Sequence, residues 1–140
     1  MIGLTAPSWV ANGNISPCRF VTPSSTNQGK CVQTTAATQL PVGISGEYTR
    51  NQPGSAADDG YAAVAGEEVN VHPPGTICNL TLGGTVGTNA LIVSHTDGTG
   101  VAWASSTTAQ WIAAMCIVGG VAGDKVPVWM LPPNQYQANS

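Results

Sequence analysis

Charge is what this sequence has least of. Charged residues make up 8% of its 140 positions, where an average protein has about 25%. Only four are basic, Arg19, Lys30, Arg50 and Lys125, and the formal net charge is -3. Neutralising phosphates takes clustered Lys and Arg, so this scatter argues against a nucleic-acid partner. Long apolar runs are also missing. No stretch approaches the ~18 residues of a membrane span, and none points to a membrane partner. The opening residues have neither a basic segment nor an apolar core, which reads against a secretory signal and for cytoplasmic synthesis.

The chemistry of an enzyme is equally scarce. His72 and His95 are the only histidines, hence the only candidate bases at neutral pH. His95 stands in Ser94-His95-Thr96-Asp97, but adjacency in sequence is not triad geometry, because neighbouring strand residues face opposite ways. With Gly98 following, the segment reads as a hairpin turn. Asp58-Asp59 supplies two carboxylates, whereas calcium needs six or more oxygens around one point. Cys18, Cys31, Cys78 and Cys116 are far apart, with no C-x-x-C pair to suggest zinc. They read as buried free thiols, and a Cys18–Cys31 bridge across a hairpin is the alternative. The expectation is a protein with no catalytic residues, metal, cofactor or small-molecule substrate.

What is present is a succession of short apolar runs punctuated by Gly and Pro. Strands are expected at 18–22, 30–33, 40–45, 61–64, 68–72, 76–80, 90–94, 99–103, 111–118 and 126–131, with turns between them. Val69 and Val71, like Val126 and Val128, occupy alternate positions, as one buried strand face requires. His72 and Trp129 then fall on the opposite face. The series also repeats. Cys18-Arg19-Phe20-Val21, Gly29-Lys30-Cys31-Val32, Pro41-Val42-Gly43-Ile44-Ser45 and Gly66-Glu67-Glu68-Val69-Asn70-Val71 form a first set. Ala90-Leu91-Ile92-Val93, Gly98-Thr99-Gly100-Val101, Ala114-Met115-Cys116-Ile117-Val118 and Gly123-Asp124-Lys125-Val126-Pro127-Val128 form a second. The fold class is therefore all-β: a small β-barrel or β-sandwich with two pseudo-repeated halves.

Residues 1–14 read as an extended N-terminal arm, residues 15–131 as a single β-domain, and residues 132–140 as a polar C-terminal tail. The longest loop is 46–60, which carries Glu47, Arg50, Asp58 and Asp59; loops of that length are often functional. Trp103, Trp111 and Trp129 lie in expected strands and read as core or subunit contacts. Trp9, in a Pro-flanked arm with no local core to fill, reads with Ile2 and Leu4 as an apolar anchor.

The order of these segments, closing on Val86-Gly87-Thr88-Asn89 through Val93, Asp97 through Val101 and Gly123 through Val128, resembles the phage capsid cement, or head decoration, proteins. The likeness covers roughly residues 15–131 and rests on loose patterns of small residues. Four cysteines and a long 46–60 loop depart from what that family leads one to expect. The resemblance implies a structural virion protein of a bacteriophage, made in the host cytoplasm. It would bind the major capsid protein on the outer surface of an icosahedral shell, often as a homotrimer, and stabilise the shell by multivalent clamping. An arm carrying Ile2, Leu4 and Trp9 would be its capsid-binding segment. A carbohydrate-binding β-domain of a phage fibre or cell-surface protein is the alternative, since exposed Trp and Tyr on a β-scaffold stack on sugars.

Overall fold

In the computed structural model, residues 8–51, 55–104 and 107–136 are described, and they contain ten strands and no helix. The first half supplies β1 (Ser8–Ala11), β2 (Phe20–Pro23), β3 (Lys30–Gln33), β4 (Gly43–Ser45) and β5 (Glu68–His72). These close into a barrel in the order β1-β3-β2-β4-β5, with β1 parallel to β3 and antiparallel to β5. The second half supplies β6 (Ile77–Thr81), β7 (Leu91–Ser94), β8 (Gly100–Ala102), β9 (Gln110–Cys116) and β10 (Lys125–Tyr136). Their order, β6-β10-β9-β7-β8, traces the first half's ring in the opposite direction, with each strand replaced by its successor five places on. A parallel bridge between Leu82 and Gly100 stands where β1 meets β3 in the barrel.

The repeat holds residue by residue. Phe20 pairs with Ile44 and Ile44 with His72; Leu91 pairs with Met115 and Met115 with Trp129. Trp9 pairs with Val69, and Leu80 with Val126. The Ile15–Ala63 bridge matches the Val86–Gly120 bridge. Left-handed backbone recurs at matched sites too: Cys18 (φ 57°) and Asn89 (65°), Gly66 (89°) and Gly123 (91°). A non-glycine residue with positive φ is uncommon, so its recurrence at equivalent places marks a common backbone plan. From Cys18 to Ser45 the offset to the mate is about 71 residues; from Ala63 onward it is 57. The first half therefore carries about 14 extra residues, and they lie in the 46–60 loop.

Alternation places the core as expected. Val69 and Val71 are buried, as are Val126 and Val128. The first barrel encloses Ala11, Ile15, Val21, Cys31, Ala63, Val69 and Val71. The second half encloses Leu80, Leu82, Val86, Ile92, Ala114, Cys116, Val126, Val128 and Met130, and this cluster also takes in Phe20 and Ile44 from the first half. Those two residues therefore point out of their own barrel and into the neighbouring half. Burying a side chain of this size is worth about 1.5–3 kcal/mol, so Phe20 and Ile44 are principal ties between the halves.

Three expected boundaries change. The arm of 1–14 does not hold as far as residue 8, since Ser8–Ala11 is the strand that closes the first barrel. The expected strand at 61–64 reduces to the single bridge at Ala63. The tail expected from residue 132 begins as strand instead, because β10 pairs with β9 through Asn134–Ile112, Gln135–Trp111 and Tyr136–Gln110.

Candidate functional site

The residues singled out for chemistry are drawn apart by their partners. The Ser94 hydroxyl pairs with the Thr34 hydroxyl and donates to the His95 carbonyl at 3.0 Å. The Asp97 carboxylate accepts from the Thr99 hydroxyl and N–H and faces Arg19 at 3.8 Å. Burial raises the Asp97 pKa, but the Thr99 hydrogen bonds and Arg19 outweigh it and the net shift is downward. The segment is a tight turn, with the His95 N–H donating to the Thr99 carbonyl at 2.7 Å and Gly98 left-handed. Its role is to join the halves. The Gly98 carbonyl accepts from the Phe20 N–H at 2.8 Å, and the Asp97 carbonyl accepts from Arg19 Nη1 and Gln33 Nε2 at 2.9 and 2.7 Å.

Asp58 and Asp59 also serve separate partners. Asp58 accepts from the Gly60 N–H at 2.9 Å; Asp59 accepts from the Tyr61 N–H and from Arg50 Nη1. Arg50 in addition makes a two-pronged contact with Glu67, at 2.8 and 3.1 Å. The Asp59 carboxyl is lowered by the Tyr61 N–H and Arg50, and Glu67 is lowered by Arg50 and the Val64 N–H. The inserted loop is thereby fastened to the start of β5, and Asn79 on β6 holds it through Glu47 at 3.0 Å. Between loop and barrel lies a cavity of about 300 Å³ lined by Tyr48, Thr49, Glu68 and Asn70 among others, with Tyr48 82% exposed. A second cavity, of about 400 Å³, is lined by Ala36, Ser94, His95, Val101 and Gln110 among others.

All four cysteines are buried free thiols. Burial pushes Cys31 and Cys78 up to about 11. A thiol so protonated is a poor nucleophile. Among the described residues no group of three His, Cys, Asp or Glu side chains is placed to hold a metal ion, and no helix is long and apolar enough to cross a membrane.

Ile2 and Leu4 lie outside the described residues. Trp9 is not the free arm residue that its flanking proline suggests. It sits in β1, half-buried against the first barrel's core. The sequence reading missed a row running across the second half. Leu91, Met115, Trp129 and Ile77 are paired neighbours on β7, β9, β10 and β6. Their neighbours Ile92, Cys116, Val128 and Cys78 are buried, so the row itself faces outward. Ile77 is 68%, Trp129 44% and Leu91 38% exposed. The alternation of Val126 and Val128 placed Trp129 on this face, and the same reasoning extended to its strand partners would have found the rest.

Fold and surface together define a class: a tandem of two five-stranded β-units with one outer face left apolar. Neither the known protein families nor the curated proteins match the chain. Among solved structures it is similar to the head fiber gp8.5 N base of bacteriophage phi29, at 15% identity and a TM-score of 0.64, over 91% of this chain and 93% of that one.

Proposed function

We propose that this chain is a structural, non-enzymatic protein of a bacteriophage virion, a homotrimer on the outer capsid surface that binds the major capsid protein and stabilises the shell. The observation that carries this reading is the fold shared, nearly end to end, with the base of a phage head fiber. Two features of the chain support it. Its polar clusters are spent on turns and on fastening the loop, as the partners of Asp97, Asp59 and Glu67 illustrate. Its outer surface offers an apolar row rather than a charged patch. A protein that binds only the assembled shell stabilises it by linkage, and several weak contacts per trimer add through effective concentration.

Quantitative mass spectrometry of purified virus particles tests the proposal. A copy number comparable to that of the major capsid protein is expected for a lattice component. A handful of copies would shift the reading to a fibre or tail part, and absence would end it. The glycan-binding alternative draws on Tyr48, an exposed aromatic beside a cavity with Glu68 and Asn70 on its wall. It predicts retention on immobilised glycans that Tyr48→Ala abolishes.

A further inference from the structure

The cavity of about 400 Å³ lies on the seam between the halves. Ala36 and Ala37, in the segment after β3, belong to its first-half wall; Val93 on β7, Val101 and Ala102 on β8, and Ala104 belong to its second-half wall. The first wall is fixed by hydrogen bonds of its own. The Thr34 N–H donates to the Phe20 carbonyl at 3.0 Å, the Trp111 N–H to the Ala37 carbonyl at 2.9 Å, and the Thr35 N–H to Gln39 Oε1 at 2.7 Å. A preformed, largely apolar cleft of this size between structural units is where small ligands commonly bind.

The chemistry of the walls is narrow. Among the described lining residues there is no Asp, Glu, Lys or Arg, so a charged ligand would give up water without gaining a partner. The Ser94 hydroxyl is already taken by Thr34 and the His95 carbonyl. Gln110, at the start of β9, differs: its Oε1 is buried and has no hydrogen-bond partner. Buried polar atoms of folded proteins are nearly always paired, so this one calls for a donor from outside the chain. Water alone fills the space poorly. Each buried water needs about two to four polar partners, and six of the lining side chains are alanine or valine.

We infer that this cavity binds an uncharged ring carrying one donor, a phenol or an indole, whose O–H or N–H donates to Gln110 Oε1 while its apolar body covers the alanine and valine walls. Either ring combines a large rigid body with a single polar handle, the counterpart of one acceptor set among methyl groups. The ring comes either free or as the tyrosine or tryptophan side chain of a neighbouring protein. A ligand touching both halves also holds them together, so binding stabilises the fold by linkage. The inference is independent of the proposed virion role.

The test titrates the full chain, with its alanine methyl groups labelled for NMR, with p-cresol and with indole to about 10 mM, a range suited to ligands this small. Saturable shifts are expected at Ala36, Ala37, Ala102 and Ala104, with a rise in melting temperature. Anisole, the isomer of p-cresol without the O–H, and p-hydroxyphenylacetate, which adds a charge, are each expected to bind roughly tenfold or more weakly. Gln110→Leu is expected to reverse the order of p-cresol and anisole, which a mere loosening of the fold would not do. Should that variant not fold, Ala36→Leu decides, since it fills the cavity from the other wall and is expected to abolish the shifts. Failure of both rings to saturate would overturn the proposal and leave the cavity to water. Equal binding of p-cresol and anisole, or p-cresol shifts that survive Ala36→Leu, would overturn it as well. N-acetyltyrosinamide and N-acetyltryptophanamide then identify the source. Binding as tight as that of the bare rings supports a side chain whose main chain stays outside, and exclusion of both supports a free small molecule.

Discussion

The two halves share a strand order and a register and bury the same inner positions, yet only the first half has its outer row buried as well. In the first half, the outward row of Phe20 and Ile44 is sealed under the second half; in the second half, Leu91 and Trp129 of the matching row face outward. Interior positions are also filled differently. Gly43 on β4 has Ala114 as its mate on β9, while Cys31 on β3 has Gly100 as its mate on β8. A shared backbone plan therefore leaves the packing of each unit open. Each half balances its own large and small side chains, as close-packed interiors require.

The largest expected effect comes from cutting the tie that only one half makes. Phe20→Ala should cost about 3–5 kcal/mol of unfolding free energy, the usual range for a fully buried aromatic. Leu91→Ala at the matching site should cost about 1 kcal/mol or less when measured on the dissociated chain, since a partly exposed side chain loses little burial. Denaturant titration of both variants measures the contrast. Equal losses would mean that the matched positions are not differently packed after all.

A smaller contrast lies at Gly43 and Ala114. A Cβ at Gly43 would land on the His72 carbonyl oxygen and the Val71 side chain, and backbone there cannot give way as the end of a flexible side chain can. Gly43→Ala should destabilise by about 1–3 kcal/mol, the range for overpacking. Ala114→Gly should cost about 1 kcal/mol, from added chain entropy and a lost methyl group. Thermal melts of the two variants, with opposite changes at one structural position, would separate a packing effect from a strand-propensity effect. If both changes cost the same, the close approach at Gly43 is not what forces glycine there.

How far the repeat was legible depended on what held each segment in place. The pairs Gly29–Gly98 and Gly66–Gly123 align in the sequence as they do in the fold, because a left-handed turn tolerates little but glycine. Aligning Cys18 with Ala90 is one residue out; its structural mate is Asn89, a residue type that tolerates positive φ, whereas nothing in the residue type announces the positive φ of Cys18. Aligning Gly43 with Cys116 is two residues out. The apolar run from Trp111 to Val118 has no polar alternation to set its phase, and only its pairing with β7 fixes Ala114 as the mate. β1 escapes the sequence because its four residues, Ser8 through Ala11, show no alternation and become a strand only by pairing with β3 and β5 far along the chain. The apolar row was half legible. Alternation turned Trp129 outward, but Phe20 and Leu91 have the same local pattern and opposite burial, a difference that only the packing of one half on the other creates.

The smallest effect concerns the loop that only the first half possesses. Val64 N–H donates to Glu67 Oε1 at 3.0 Å, and its mate Val121 N–H donates to Asp124 Oδ2 at the same distance. The turn itself is thus common to both halves, but only Glu67 is also gripped by an arginine, Arg50, brought by the inserted loop. Arg50 is the leading cause of the lowered Glu67 pKa. A carboxylate whose folded pKa lies below its unfolded value of about 4.3 stabilises the fold above that value, and the contribution fades as the pH falls through the folded pKa. Both partners are exposed, so the effect on overall stability should be slight, but the local hydrogen bond should report it. Corrected for intrinsic rates, the protection of the Val64 N–H against exchange should fall as Glu67 is protonated. Arg50→Ala should move that midpoint upward toward the ordinary carboxylate range while leaving the Val121 profile where it was. A midpoint that ignores Arg50→Ala would mean that the loop rests on the barrel without fastening it.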